Sequence, residues 1–230
     1  MNAAPIKDGL RPELTTLPER MRGLPVARGF PVPWFVPKVD GEYDFRVASG
    51  ERRVRAVKEK LCWVCGQQLG VHKTFAIGPM CAVTRSTSEP ACHHECAVWS
   101  ARNCPFLARP HMVRRENDLP EEASYQSAPG ITVTRNPGCT ILWTTRTFKT
   151  FETHDGNKGW LITVGEPHML EAYSEGKACG LSVVEESIRT GLHLLEAQCE
   201  LESTEARKEE ARILLRQQVR EVHSLLEQYL

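Results

Sequence analysis

Cys62-Trp63-Val64-Cys65-Gly66 and His93-His94-Glu95-Cys96, with 27 residues between Cys65 and His93, form the stretch on which the reading of this chain turns. In Cys-x-x-Cys-Gly two thiolates are aimed at one point, because the glycine lets the chain fold back and backbone N–H groups turn toward the sulfurs. The second pair reads as helical. Ser88 serves as N-cap, Pro90 is tolerated in the first turn, and Ala91 to Asn103 runs as helix until Pro105 stops it. His93 and Cys96 are three apart, so they share a face near the helix N-terminus, where the dipole favours thiolate. Three thiolates and one imidazole close a tetrahedral shell on Zn²⁺ and leave no position for water. The expectation is therefore a structural zinc held by Cys62, Cys65, His93 and Cys96.

A knuckle followed by two ligands from the first turns of a helix is the pattern of a treble-clef zinc site. His94 suits it less than His93, since an i, i+2 relation to Cys96 points it toward another face. Cys81, Cys92 and Cys104 compete for the ligand positions. Cys92 and Cys96 are i, i+4 and could pair in an all-cysteine shell, and Cys81, in Gly78-Pro79-Met80-Cys81, sits where a treble clef has its β-hairpin. Each of the three also reads as a small buried hydrophobe. An iron–sulfur cluster is compatible with the same thiols.

Six of the nine cysteines (62, 65, 81, 92, 96, 104) fall inside one 43-residue window. Clustering of this kind points to metal ligation rather than a disulfide frame. Met1 to Arg20 holds no apolar run of signal-peptide length and no stretch approaches a membrane span, so a cytoplasmic protein without membrane contact is expected. The 41 % hydrophobic content over 230 residues is enough for a real core and excludes a disordered chain. The zero net charge conceals an asymmetry: residues 1–115 carry 18 Lys/Arg against 10 Asp/Glu, and residues 116–230 carry 11 against 19. The basic half invites a polyanion, or the two halves attract one another.

Outward from the cysteines, residues 1–30 form a Pro-rich arm that docks on the fold or stays mobile. Residues 31–113 form the zinc-binding α+β domain. Within it, Trp34 to Val39 and Glu42 to Val47 flank Asp40-Gly41 as a β-hairpin. Glu51 to Leu61 is a short basic helix carrying Arg52, Arg53, Arg55, Lys58 and Lys60, either a solvated surface or a nucleic-acid contact. Residues 114–130 are a linker. Residues 131–180 make a small antiparallel sheet from Ile131 to Thr134, Thr140 to Thr150, Trp160 to Val164 and Met169 to Tyr173, simplest as a meander, with turns at Asn136-Pro137-Gly138 and Asp155 to Gly159. Residues 181–230 are helical. Ser182 and Glu185 form a capping box at the start. Residues 202–210 are an exposed helical stretch or a turn centred on Ser203-Thr204. Leu215, Val219, Val222, Leu226 and Tyr229 make a short heptad-like seam, for packing on the sheet or for homo-oligomerisation.

Pro31 to Phe35 (Pro-Val-Pro-Trp-Phe), Cys62-Trp-Val-Cys-Gly, Phe75 to Cys81, the Ser88-Glu-Pro segment leading to His93 and Cys96, Cys104-Pro-Phe-Leu and Glu175-Gly-Lys-Ala together resemble an uncharacterised family of hypothetical proteins from bacteriophages and bacteria. The likeness covers most of residues 20–195. It implies a phage or bacterial origin and a coherent metal site, and no mechanism.

The function expected is that of a zinc-stabilised, non-enzymatic binding or regulatory protein contacting nucleic acid or a protein partner. The alternatives are a treble-clef nucleic-acid enzyme of the HNH type, or a phage structural or assembly component. The nuclease reading has only His72 to offer in the hairpin region Gln67 to Thr87, with no acid before it. There is no phosphate-binding Gly-x-x-x-x-Gly-Lys loop and no Gly-x-Ser-x-Gly elbow. His93-His94-Glu95 imitates a zinc deaminase, but the Cys-x-x-Cys precedes it instead of following.

Overall fold

The computed structural model describes residues 9–11, 13–14, 16–109, 138–153 and 159–230. Among them, a turn of 3-10 helix at Glu19–Met21 leads into β1 (Val26–Ala27), β2 (Phe30–Pro31), β3 (Lys38–Val39) and β4 (Glu42–Tyr43). β3 and β4 form the expected hairpin, with Asp40 and Gly41 both at positive φ (50° and 83°), the geometry of a two-residue primed turn. Its ladder is only two residues long, because the next pair is Pro37 and Asp44 and Pro37 has no amide to donate; the Asp44 amide still reaches the Pro37 carbonyl (3.4 Å), and its carboxylate clamps Arg46 through both oxygens. The part of the proline-rich arm that is described docks on the fold: Leu17, Met21 and Leu24 are buried in the core.

α1 (Gly50–Lys58) is capped by Ser49, whose hydroxyl accepts from the Arg52 amide. β5 (Lys73–Ile77), α2 (Pro79–Thr84) and β6 (Ser86–Thr87) follow, then α3 (His94–Asn103) and α4 (Pro105–Ala108). The expected helix from Ala91 begins three residues late. The amide and carbonyl of Cys92 are committed to Thr74 (2.7 and 3.0 Å) and the carbonyl of Ala91 to the Trp63 amide (2.9 Å), so residues 91–92 are extended and His93 is the N-cap. Cys81 lies in helix α2, not in a β-hairpin. Between the knuckle and α3 the chain therefore runs strand, helix, strand.

Beyond the undescribed residues come β7 (Thr140–Thr145), β8 (Phe148–Thr153), β9 (Gly159–Val164), β10 (Pro167–Ser174), β11 (Lys177–Ala178), α5 (Leu181–Cys199) and α6 (Glu205–Tyr229). The strand expected over Thr140 to Thr150 is two strands. Thr145 Oγ1 donates to the Thr147 carbonyl and accepts from its amide, which turns the chain at Arg146. β7 and β8 then enter different sheets, a four-stranded one in the order β11-β10-β7-β5 and a three-stranded one in the order β6-β9-β8, all antiparallel. This replaces the meander. The expected strand Ile131 to Thr134, the linker 114–130 and most of both expected turns lie outside the described residues. The blocks on either side of that linker share their sheets, since β5 pairs with β7 and β6 with β9.

β7 is buried at all six positions. Trp143 faces α2 and α6, lining with Ala82, Val83, Val222 and Leu225 a cavity of about 10 Å³. Glu171, paired in register with Leu142, points to the opposite face and bonds His94 of α3. The sheet is thus covered on both faces, which suits its unbroken Ile141-Leu142-Trp143 run. At α5 the expected capping box does not form: Gly180 is the N-cap, and Glu185 is turned toward His223 of α6 (3.6 Å). Residues 200–204 are the turn of a helical hairpin, and Thr204 caps α6 by accepting from the Arg207 amide. The seam is spent inside the chain. Leu215, Val222 and Leu226 are buried, and the Tyr229 hydroxyl donates to the Pro167 carbonyl.

Candidate metal centre

The ribbon from Leu61 to Gln68 folds back on itself through a single bridge between these two residues. The Gly66 amide donates to the Cys62 carbonyl (2.8 Å) and the Cys62 amide to the Gln67 carbonyl (2.7 Å). Gly66 has φ +73°, and a Cβ there would lie 2.6 Å from Cγ of Trp34, so glycine is required twice, for conformation and for space. The Cys62 sulfur accepts from the amides of Cys65 (3.5 Å) and His93 (3.3 Å), the arrangement that stabilises a thiolate. Cys96 enters from the first turn of α3.

Cys62, Cys65, His93 and Cys96 are all buried, and their ligand atoms lie within 4.8 Å of one another. A tetrahedral ion with metal–sulfur bonds of about 2.3 Å holds its sulfurs about 3.8 Å apart, so the cluster could close on a metal ion with little movement. The histidine is oriented for it. Nε2 of His93 sits 3.0 Å from the Gln68 carbonyl, which takes the ring proton and leaves the Nδ1 lone pair facing Cys65 Sγ at 3.3 Å. Arg20 encloses the site by bonding Glu95 of α3 (2.8 Å) and Gln67 of the ribbon (3.2 Å).

Electrostatics favour a cation at the centre. Hydrogen bonds from Cys65, Cys92 and Cys96 hold the Cys62 thiol far below its usual range against the opposing effect of burial. The Cys96 thiol is raised, chiefly by Cys62, then by Cys65 and burial. His93 is pushed up to about 10 by Cys62 and then Cys65. Without an ion the four groups must share protons and keep an imidazolium beside a thiolate. A divalent cation removes that conflict.

His94 lies outside the cluster, bonded to Glu171. Cys92 is a buried neighbour whose thiol bonds Cys62 and is raised. Burial pushes the Cys81 thiol up to about 11 and also raises Cys104. The carbonyl of Gln68 and the clamp of Arg20 had no sequence signal, since one is a backbone group and the other spans 75 residues.

The basic helix is placed differently from its sequence reading. Arg52 donates to the carbonyls of Trp34 and Val36, and Arg53 stacks 3.7 Å from the centroid of Trp160 while donating to the carbonyls of Ser88 and Trp160. These two guanidinium groups fasten α1 to the fold. Arg55 pairs with Glu59, and Lys58 and Lys60 are exposed.

No family model, curated protein or solved structure matches the chain. Among the described residues no helix is long and apolar enough to cross a membrane.

Proposed function

We propose that the protein is a zinc-stabilised, non-enzymatic binding protein whose metal sits in a treble-clef-like site. The observation that carries this reading is the convergence of three buried thiols and one oriented imidazole within 4.8 Å. Cys62, Cys65, His93 and Cys96 would hold the ion, and a four-ligand protein shell of this kind leaves no coordination position for water or substrate, which is the mark of a structural zinc. Zinc supplies the ties that keep the ribbon folded onto the start of α3. The partner class taken here is nucleic acid. A protein partner is the outcome to be expected if no oligonucleotide binds.

Elemental analysis of the purified protein tests the reading, alongside Cys62→Ser and His93→Ala and a thermal melt in chelator. About one zinc per chain is expected, lost in both variants, with a lower melting temperature. Protein free of zinc, or coloured by iron, would overturn it.

A further inference from the structure

We propose that the end of the sheet where β5 and β10 begin and β7 finishes is a phosphate-binding surface for a nucleic-acid strand, formed by Lys60, His72, Lys73, Arg146 and His168. This rests on the reading of the protein as a nucleic-acid-binding module and moves its contact surface away from α1. The first support is a bulge. The register of β10 against β7 shifts between Pro167 and Met169, leaving His168 as the extra residue. Bulges re-aim side chains, and this one brings the His168 ring onto His72, with centroids 4.5 Å apart and planes 8° from parallel.

The charged groups that act on His72, namely His168, Arg146 and Lys73, are all basic. Arg146 Nε lies 3.5 Å from His72 Nε2, and Lys73 is anchored to two neutral carbonyls, Val71 (2.8 Å) and Arg146 (3.1 Å), which leave its charge uncompensated. Lys60, whose carbonyl accepts from the Leu69 amide (2.8 Å), is close enough to Lys73 that burial and then the Lys60 charge lower that amine's affinity for a proton. Among the described residues none of these five groups has a carboxylate partner, whereas Arg20, Arg46, Arg55, Arg85, Arg189 and Arg212 each have one. The nearby acids are used elsewhere, Glu59 by Arg55 and Glu166 by Arg85. In a chain of zero net charge, an unpaired cluster of cations at this bulged end is a surface complementary to an anion.

The geometry excludes a metal as the ligand: parallel imidazoles do not aim their lone pairs at one point, and a guanidinium and an ammonium stand beside them. The two imidazoles and Arg146 lie together, while Lys73 and Lys60 extend the positive charge toward the ribbon, so the cations are spread beyond a single contact. A polyanionic strand can meet such a spread of cations at more than one phosphate. Burial, then His168, Arg146 and Lys73, hold the His72 imidazole below its ordinary value, and a bound phosphate would raise it again. Affinity should therefore increase as pH falls from about 8 to about 6.

The test is fluorescence anisotropy of a labelled oligothymidylate of about 20 nucleotides with the metal-loaded full chain, between about 50 and 200 mM salt. The double variant Arg146→Ala/His168→Ala should weaken binding roughly tenfold, flatten the salt slope by about 0.7 per lost contact and flatten the pH dependence. Arg189→Ala, on α5, should change nothing. Metal content and a thermal melt establish that the double variant is folded, and Arg146→Gln/His168→Asn replaces it if it is not. An unchanged slope in the double variant, with binding lost instead in Arg55→Ala/Lys58→Ala, would overturn the assignment of the surface. Equal competition by polyglutamate would overturn the partner class. Absence of binding by the wild type would overturn the inference, while the zinc content of the same sample separately decides the structural-metal reading.

Discussion

In the ribbon from Cys62 to Gly66 the buried side chains turn inward and converge on one another's donor atoms; in β7, from Thr140 to Thr145, they alternate across a sheet and meet apolar neighbours on both faces. Both segments are buried, by different physics. The ribbon is short, has no regular ladder beyond one bridge, and sets its two thiols against His93 and Cys96 of the α3 start, where the four groups conflict unless a cation joins them. β7 is stabilised by the removal of Ile141, Leu142 and Trp143 from water, with its polar Thr144 satisfied by the Thr74 hydroxyl at 2.9 Å. Coordination is nearly all-or-none, whereas apolar burial is a sum of many small contributions. The two regions should fail separately.

Metal removal should produce the largest difference. On the zinc reading, chelation withdraws an apparent binding free energy on the order of 10 kcal/mol near neutral pH. Hydrogen exchange should then become fast over residues 61–70 and 92–97 while β7 and β10 stay protected. Protons compete for the same thiolates, so acidification should release the ion and raising the pH should not. Simultaneous loss of protection in β7 would show that the two regions are one cooperative unit.

Trp143→Ala attacks the other region. Its ring is fully buried and its Nε1 donates to the Gly165 carbonyl (2.9 Å), so truncation should cost about 3–5 kcal/mol in denaturant unfolding. Bound metal per folded chain should be unchanged. Gly66→Ala sharpens the comparison from the ribbon side. Positive φ and the encounter with Trp34 should together cost about 1–3 kcal/mol and weaken metal binding, while Gly50→Ala, with open space at its Cβ, should leave both unaltered. Thr204→Ala touches neither region, removing only the cap of α6, and about 1 kcal/mol of stability with no change in metal content is expected.

The residues that were legible in the sequence are those whose chemistry is local. Cys-x-x-Cys-Gly specifies a knuckle because the glycine and the sulfurs act within five residues, and Asp40-Gly41 specifies a turn for the same reason. The four candidate ligands converge as their spacing implied, even though α3 starts at His94 and His93 reaches the cluster as an N-cap instead of from within the helix. The errors share a cause. Ala91 and Cys92 have helical neighbours but give their backbone groups to Trp63 and Thr74; Ser182 could cap α5, but Glu185 finds His223; Arg52 and Arg53 read as a solvated face, but carbonyls and Trp160 claim them.

The pairs Cys62/Cys65 and His93/Cys96, the Asp40-Gly41 hairpin, the basic helix and the apolar seam of α6 can be read from the chain alone, since each depends on residues within a few turns of one another. Long-range packing sets the rest: β5 and β7 share a sheet, Thr140 to Thr150 breaks into strands of two sheets, α6 spends its seam on its own chain, and His72, Arg146 and His168 meet at one end of the sheet. Those arrangements depend on which distant backbone donors and apolar faces find one another, and contacts of that kind leave no periodicity in the chain.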